Sequence, residues 1–232
     1  MTHQRASMAA HGVTHIHHFY LVRAQHSLGA LWSKVRVVED TRLRAVLLFS
    51  AEQTLLGLSL LNRYQPIQFG RPGGSQVNRY LSGVYYISSL ISEVTPWYIL
   101  GGKNRRLGRA FASLEVCRSL VALSTQSTTS SMVPEGNLDY IFTDPPFGEN
   151  IYYADLNYLV ESWHRVWTGS KTEAIIDQAK KKTLRDYQQL MRASFHEYYG
   201  ALKPGRWMTV EFHNSHNSVW NAIQEAMQTV GF

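Results

Sequence analysis

Cysteine is nearly absent: Cys117 is the single one among 232 residues. That excludes an intrachain disulfide and a zinc site built from thiolates alone. Long apolar runs are missing too. The best block, Leu55 to Leu61, falls far short of the roughly 18 residues a membrane span needs. Arg5 is followed by no extended apolar block, so a secretory signal is not expected. Charged residues make up only 17%, too few for a disordered chain, while 44% hydrophobic residues suffice for a core. The chain has no internal repeat and no long low-complexity tract; the nearest is the Ser/Thr-rich stretch Ser124 to Met132. What charge there is leans basic, 23 Lys and Arg against 17 Asp and Glu for a net +6, a mild excess that suits a polyanionic partner. Composition predicts a soluble, cytoplasmic protein with no membrane attachment.

Residues 1–13 read as a polar, frayed lead-in. Thr14 can cap a helix to about Val38, with Phe19, Val22, Leu28, Leu31, Trp32 and Val35 at mostly helical spacing. Thr41 to Leu61 reads as a second, well-buried helix. Pro66 to Gly74 is a loop by composition, and Leu81 to Leu90 suits a strand or hairpin. Gly101 to Arg106 reads as a flexible basic turn leading into a helix through Cys117, itself a small core residue. From Arg118 the pattern becomes α/β. Strands are predicted at Ser119–Ser124, Leu138–Thr143 (buried) and Arg206–Phe212, and helices at about Ala154–Trp167, Thr183–Leu202 and Ser218–Val230. Strands alternating with helices of this length imply a parallel, layered sheet. The expected organisation is a helical segment over 14–117 and an α/β half over 118–232.

The most informative stretch is Asp139-Tyr140-Ile141-Phe142-Thr143-Asp144-Pro145-Pro146-Phe147-Gly148. An apolar strand delivers an acid, two prolines and an aromatic to its carboxyl end, where ligands bind in open α/β sheets. Pro145 and Pro146 remove two N–H donors, so the chain there presents carbonyl acceptors beside the Asp144 carboxylate. An all-acceptor cradle suits an amino group with two N–H bonds to give, and Phe147 offers a flat face on which a base can stack. The parts describe a pocket for an exocyclic amine on an aromatic ring.

These residues resemble the fourth motif of the nucleic-acid amino-methyltransferases, Asp/Asn/Ser-Pro-Pro-Tyr/Phe/Trp. Asn137 to Trp167, Leu202-Lys203-Pro204-Gly205-Arg206 and Glu211-Phe212-His213-Asn214 extend the likeness to the DNA methylase N-4/N-6 family, across 118–232. A looser likeness over 14–100 runs through His17-His18-Phe19-Tyr20-Leu21-Val22-Arg23 and Ser82-Gly83-Val84-Tyr85-Tyr86. The resemblance implies a partial Rossmann-like methyltransferase sheet, with residues 14–117 as a target-recognition insertion. It implies DNA as substrate, S-adenosylmethionine as methyl donor, and a restriction-modification or defence-system subunit as partner. By resemblance, Asp144 and the Pro145 carbonyl accept the two amine hydrogens, with Pro146 and Phe147 completing the catalytic motif. Phe147 stacks on a base rotated out of the duplex. An acid in first place leans toward adenine N6 over cytosine N4.

The resemblance also exposes a gap. The family's donor site needs a Phe-x-Gly-x-Gly-like turn that opens a helix, and no such turn occurs here. Gly70-Arg71-Pro72-Gly73-Gly74 has the wrong spacing, and Gly101-Gly102 follows no strand. The expectation is a fragment of a larger enzyme that lacks its donor-binding motif. Two rivals follow: the same chemistry on RNA, and an inactive nucleic-acid-binding fragment that needs a donor-binding partner.

Lesser signals complete the candidate site. Glu211, His213 and Asn214 follow the strand beginning at Arg206, and either contact the base or donor or cap the loop. Tyr152 and Tyr153 line the base pocket or pack in the core. Ser127 and Thr128 follow the first strand, where relatives place a group near the donor's adenosine. Lys103, Arg105, Arg106 and Arg109 suit phosphate contact or a solvated face. Lys180 to Lys182 read as a solvated lead into a helix. His15 and His18 have the spacing of a ligand pair, but no neighbouring acid or thiol completes a set, so no metal is expected.

Overall fold

The computed structural model describes residues 8–114, 120–130 and 132–232. The chain divides into two compact units. The first takes in the chain to Ser119 together with Asp155–Trp167; the second comprises Leu120–Ala154 and Thr168–Phe232. Residues 155–167, which the sequence groups with the α/β half, lie in the first unit.

The first unit is built on helices α1 (Val22–Arg36), α2 (Thr41–Glu52) and α3 (Pro96–Ala112). In α1, Ala24, Leu28, Trp32 and Val35 recur on one face and all are buried. Leu28 is fully buried, and such a side chain contributes roughly 1.5–3 kcal/mol. The expected helix from Thr14 is interrupted. Ile16–Phe19 is a single 3-10 turn, and Tyr20 is extended at φ −130° and ψ 142°. Tyr20 bridges Ser59 in antiparallel sense, while the Leu60 N–H donates to the Phe19 carbonyl at 2.8 Å, so a long-range pairing overrides local helical spacing. Residues 1–7 of the expected lead-in lie outside the described residues; in its remainder the fraying expected gives way to packing, with Met8 and Val13 buried in this core.

Helix α2 starts where the Asp40 side chain accepts from the Leu43 N–H. It stops at Glu52 rather than at Leu61. Beyond it the Thr54 and Ser59 hydroxyls donate to the Ala51 and Leu56 carbonyls at 2.6 and 2.8 Å, local bonds that compete with a continuing helix. Leu55, Leu58 and Leu61 are buried all the same. The loop after them is gathered by fully buried Asn62, whose amide donates to the Gln76 and Ser92 carbonyls and whose oxygen accepts from the Arg79 N–H. The Tyr-rich 81–90 stretch forms no strand. Tyr85 is instead fixed by its hydroxyl, which donates to the Leu156 carbonyl at 2.6 Å and accepts from the Leu159 N–H at 3.1 Å. Both partners lie on α4 (Tyr153–His164), whose Leu159 enters the α1 core.

Helix α3 overturns another expectation. Gly101 to Arg106 is not a flexible turn but lies inside the helix, which Thr95 caps and Pro96 opens. Gly57 permits a neighbouring segment to approach it closely, since a Cβ there would stand 3.0 Å from the Ile99 side chain. Cys117 lies outside the described residues.

The second unit pairs β1 (Leu138–Thr143) and β2 (Leu202–Val210) in parallel, with α5 (Leu184–Ala201) between them in sequence and α6 (Asn217–Val230) after. Helix α5 carries a full capping box, Thr183 with Asp186, and buries Tyr187, Met191 and Phe195 at successive turns. Helix α6 buries Val219, Ala222, Ile223 and Ala226 and ends at Gly231, whose φ of +116° suits glycine. β2 begins earlier than expected, at Leu202. The Lys203–Arg206 stretch bulges out of register, so Lys203 and Arg206 both reach the Asp139 carboxylate, at 2.9 and 3.3 Å.

One face of this sheet, with Met208 and Val210, packs on the α5–α6 core. The other exposes Tyr140, Phe142 and Trp207 at 54, 60 and 78%. β1 is therefore covered on one side only, not buried as expected. The strand predicted at Ser119–Ser124 is absent from its described part, where Leu120 and Leu123 are fully exposed. Two parallel strands with helices make a mixed α/β fold.

Candidate functional site

Because β1 and β2 run parallel, the segments that follow them, 144–152 and 211–216, leave the sheet at the same end. The first hydrogen bond beyond the strands joins them: the Glu211 N–H donates to the Thr143 carbonyl at 2.9 Å. The residues after Thr143 are then pinned one by one. The Tyr187 hydroxyl donates to the Pro146 carbonyl at 2.6 Å. The Asn214 amide donates to the Phe147 carbonyl at 2.7 Å. The Ile176 N–H donates to the Gly148 carbonyl at 3.1 Å. Gly148 sits at φ +76°, and a Cβ there would meet Val219 and Asn214 at 3.2 and 3.3 Å, so only glycine lets the loop lie this close.

Three consecutive carbonyls are thereby occupied. Among the described residues the Pro145 carbonyl and the Asp144 carboxylate accept no hydrogen bond. Asp144 is exposed, while Pro145 beneath it is buried. The loop thus carries two adjacent unengaged acceptors, the carboxylate of exposed Asp144 and the carbonyl of buried Pro145, on a backbone whose next three carbonyls are held. The Phe147 ring meets Phe212 edge-on at 5.5 Å, and Phe212 meets Trp220 at 5.0 Å, which extends the aromatic surface across both loops.

The expected neighbours divide by role. Asn214 is buried and serves as a clamp: it holds Phe147, accepts from the His216 N–H at 2.7 Å, and its carbonyl accepts from the Trp220 indole at 2.8 Å. Glu211 and His213 are exposed at the same loop end. Tyr152 and Tyr153 are half-buried at the start of α4. Burial pushes the Tyr153 phenol up, and the charges of Asp144 and Glu173 push it further.

Glu173 was not legible as a site residue. One of its carboxylate oxygens caps the Ala154 N–H at 2.9 Å, while the other is buried without a described partner. Tyr187 was missed for a plain reason: from sequence it is one more apolar position on α5, and its hydroxyl's target lies 41 residues away.

Other expected residues fall elsewhere. With no strand over 120–124, Ser127 and Thr128 do not end one. The Ser127 hydroxyl bonds Thr129 at 2.8 Å and that of Thr128 bonds Ser194 on α5 at 3.0 Å. Lys103, Arg105, Arg106 and Arg109 lie on α3 in the first unit. Lys103 is half-buried, and burial, then the neighbouring Arg106, holds its ammonium below the usual lysine range. Lys180–Lys182 lead into α5 as expected, but as a tight turn in which, of the three, only Lys181 is exposed. The turn's fully buried Asp177 accepts from the Lys180 N–H, and the Lys182 ammonium donates to the Ser170 carbonyl at 2.6 Å. The His15, His17 and His18 rings meet at 4.2–5.4 Å, His18 edge-on to the other two, but among the described residues no group of three His, Cys, Asp or Glu is placed to hold a metal ion. No described helix is long and apolar enough to cross a membrane. Comparison with family models, curated proteins and solved structures finds no match for this chain.

Proposed function

We propose that this chain is the amine-positioning part of a site-specific DNA methyltransferase, acting on adenine N6 and less readily on cytosine N4. The observation that carries the reading is the pair of free acceptors, the Asp144 carboxylate and the Pro145 carbonyl, on a loop whose next three carbonyls are tied down. An exocyclic amine has two N–H bonds, and it satisfies both acceptors at once. Its nitrogen lone pair is then held out of the plane of those bonds, a pre-set geometry that lowers the entropic part of a transfer barrier. Phe147 with Phe212 supplies the apolar surface for a base rotated out of its stack. Water reaches exposed Asp144, so the proton released by a methylated amine leaves to solvent without a dedicated base.

S-adenosylmethionine, the expected donor, does not fit the residues present. β1 leads into the Pro-Pro loop and β2 into 211–216, so neither described strand opens a helix through a glycine turn. The hydroxyls of Ser127 and Thr128 are engaged with other side chains. We therefore place the donor on a partner subunit, of the restriction-modification or defence type, and read the two strands as part of a larger Rossmann-like sheet. The open Tyr140–Phe142–Trp207 face is what such a partial sheet leaves bare. The same misfit favours a second reading, in which the isolated chain binds nucleic acid and transfers no methyl group.

The sugar is tested with matched DNA and RNA oligonucleotides that carry one unpaired adenine. Tighter binding to DNA supports the reading, and binding to RNA alone would sink the choice of DNA.

A further inference from the structure

Helix α3 carries more than its arginines. Trp97 is 83% exposed and Tyr98 62% exposed, although the same helix buries Ile99 to 2%. The inward face is accounted for by Ile99, Lys103 and Leu107, one turn apart. The opposite face holds Trp97, Gly101, Arg105 and Arg109 at four-residue steps, flanked by Tyr98 and Gly102. It offers two large aromatics, then two glycines, Gly101 with the Arg105 guanidinium over it and Gly102 open, then two guanidinium groups. Trp97 and Arg105 stand about 12 Å apart along the axis at ~1.5 Å per residue. From Pro96 to Ala112 there is no acidic residue, and among the described residues Arg105 and Arg109 pair with no acid.

The surroundings of Trp97 are concave. It forms a wall of two clefts, of about 410 and 380 Å³. One is lined by Ala24, Leu58 and Val94, the other by Leu31, Leu100 and the cationic Lys34. The acid at the first rim, Glu93, is neutralised by Arg23 at 2.8 Å. An indole kept in solvent beside apolar clefts, on a helix whose Arg105 and Arg109 pair with no acid among the described residues, has no folding role to explain it.

We propose that this face of α3 binds an unpaired stretch of DNA, with a base stacked on Trp97 and the backbone phosphates on Arg105 and Arg109. Stacking needs an open base face, which a duplex hides, so the aromatic pair selects single strands. The proposal rests on reading the chain as one that handles DNA, but it concerns a surface of the first unit that the amine cradle does not include.

The test uses a fluorescein-labelled 12-nucleotide oligothymidine, which has no exocyclic amine and so does not engage Asp144 and Pro145. Oligothymidine is expected to bind the full chain with quenching of tryptophan emission. Trp97→Ala should weaken binding about tenfold or more, and Trp97→Phe should restore much of it. Arg105→Glu with Arg109→Glu should reduce the salt dependence by roughly 1.4 in the log–log slope. Because Trp97 is exposed, its replacement leaves the fold intact, which a thermal melt verifies. Equal binding of oligothymidine by wild type and Trp97→Ala would overturn the proposal, as would preference for a duplex of the same length. If adenine-bearing strands still bind through Asp144 while oligothymidine does not, this inference fails and the amine reading stands. Loss of all DNA binding would sink both.

Discussion

Tyr187→Phe removes a bond that ties the acceptor loop to α5. The wild-type hydroxyl donates to the Pro146 carbonyl at 2.6 Å, and the ring is fully buried in the α5–α6 core. Phenylalanine keeps the ring and its packing, so no cavity cost arises. What is lost is the net value of a hydrogen bond plus the desolvation of an orphaned carbonyl, together about 1–3 kcal/mol. Denaturant unfolding should show a lower midpoint at unchanged slope, and affinity for adenine-bearing strands should fall several-fold as the loop loosens. The pH dependence carries a second signature. Burial pushes the Tyr187 phenol well above its ordinary 10.0. The folded state therefore keeps a proton that the unfolded chain releases, so stability is full below pH 10 and is lost as pH rises above it. Tyr187→Phe should lose less over that range. An unchanged midpoint together with an unchanged alkaline slope would refute the idea that this bond pins the loop.

Tyr85→Phe gives a parallel test in the first unit. Burial pushes the Tyr85 phenol up to about 12 from 10.0, so wild-type stability should fall between those pH values, and the variant's curve should be flatter there. Asn214→Ala strands the Phe147 carbonyl and the His216 N–H, and should cost about 2–4 kcal/mol in a denaturant melt. Calorimetry of the isolated chain with S-adenosylmethionine should give no heat. Saturable binding would show that a donor site exists without the glycine turn.

The legible parts of the fold were those where local chemistry and packing agree. β1 spans Leu138–Thr143 as its β-branched and aromatic content predicts, and α5 starts at the Thr183 capping box. The Pro-Pro loop was readable because proline's missing N–H is a property of the residue itself. The errors came from competition with distant partners. Tyr20 leaves the helical pattern to pair with Ser59, and Tyr85 of the 81–90 stretch bonds α4 rather than forming a hairpin. Gly101-Gly102 suggested a turn, yet Thr95-Pro96 upstream had already started a helix that two glycines do not break. Asn214 read as either a capping or a contact residue, and the structure makes it a buried clamp on Phe147. Glu173 and Tyr187 carry no sequence signal, because their importance lies in which backbone atoms they meet.

The central claim is that Asp144 and the Pro145 carbonyl recognise an exocyclic amine. The direct measurement compares binding of single-stranded DNA carrying one adenine with the same strand carrying purine, which lacks the amine, for wild type and Asp144→Ala. Two hydrogen bonds, one to a charged acceptor, predict about 10–100-fold preference for adenine in wild type. In Asp144→Ala most of that preference should vanish while binding of the purine strand is unchanged. Equal affinity of the wild type for both strands would contradict the account.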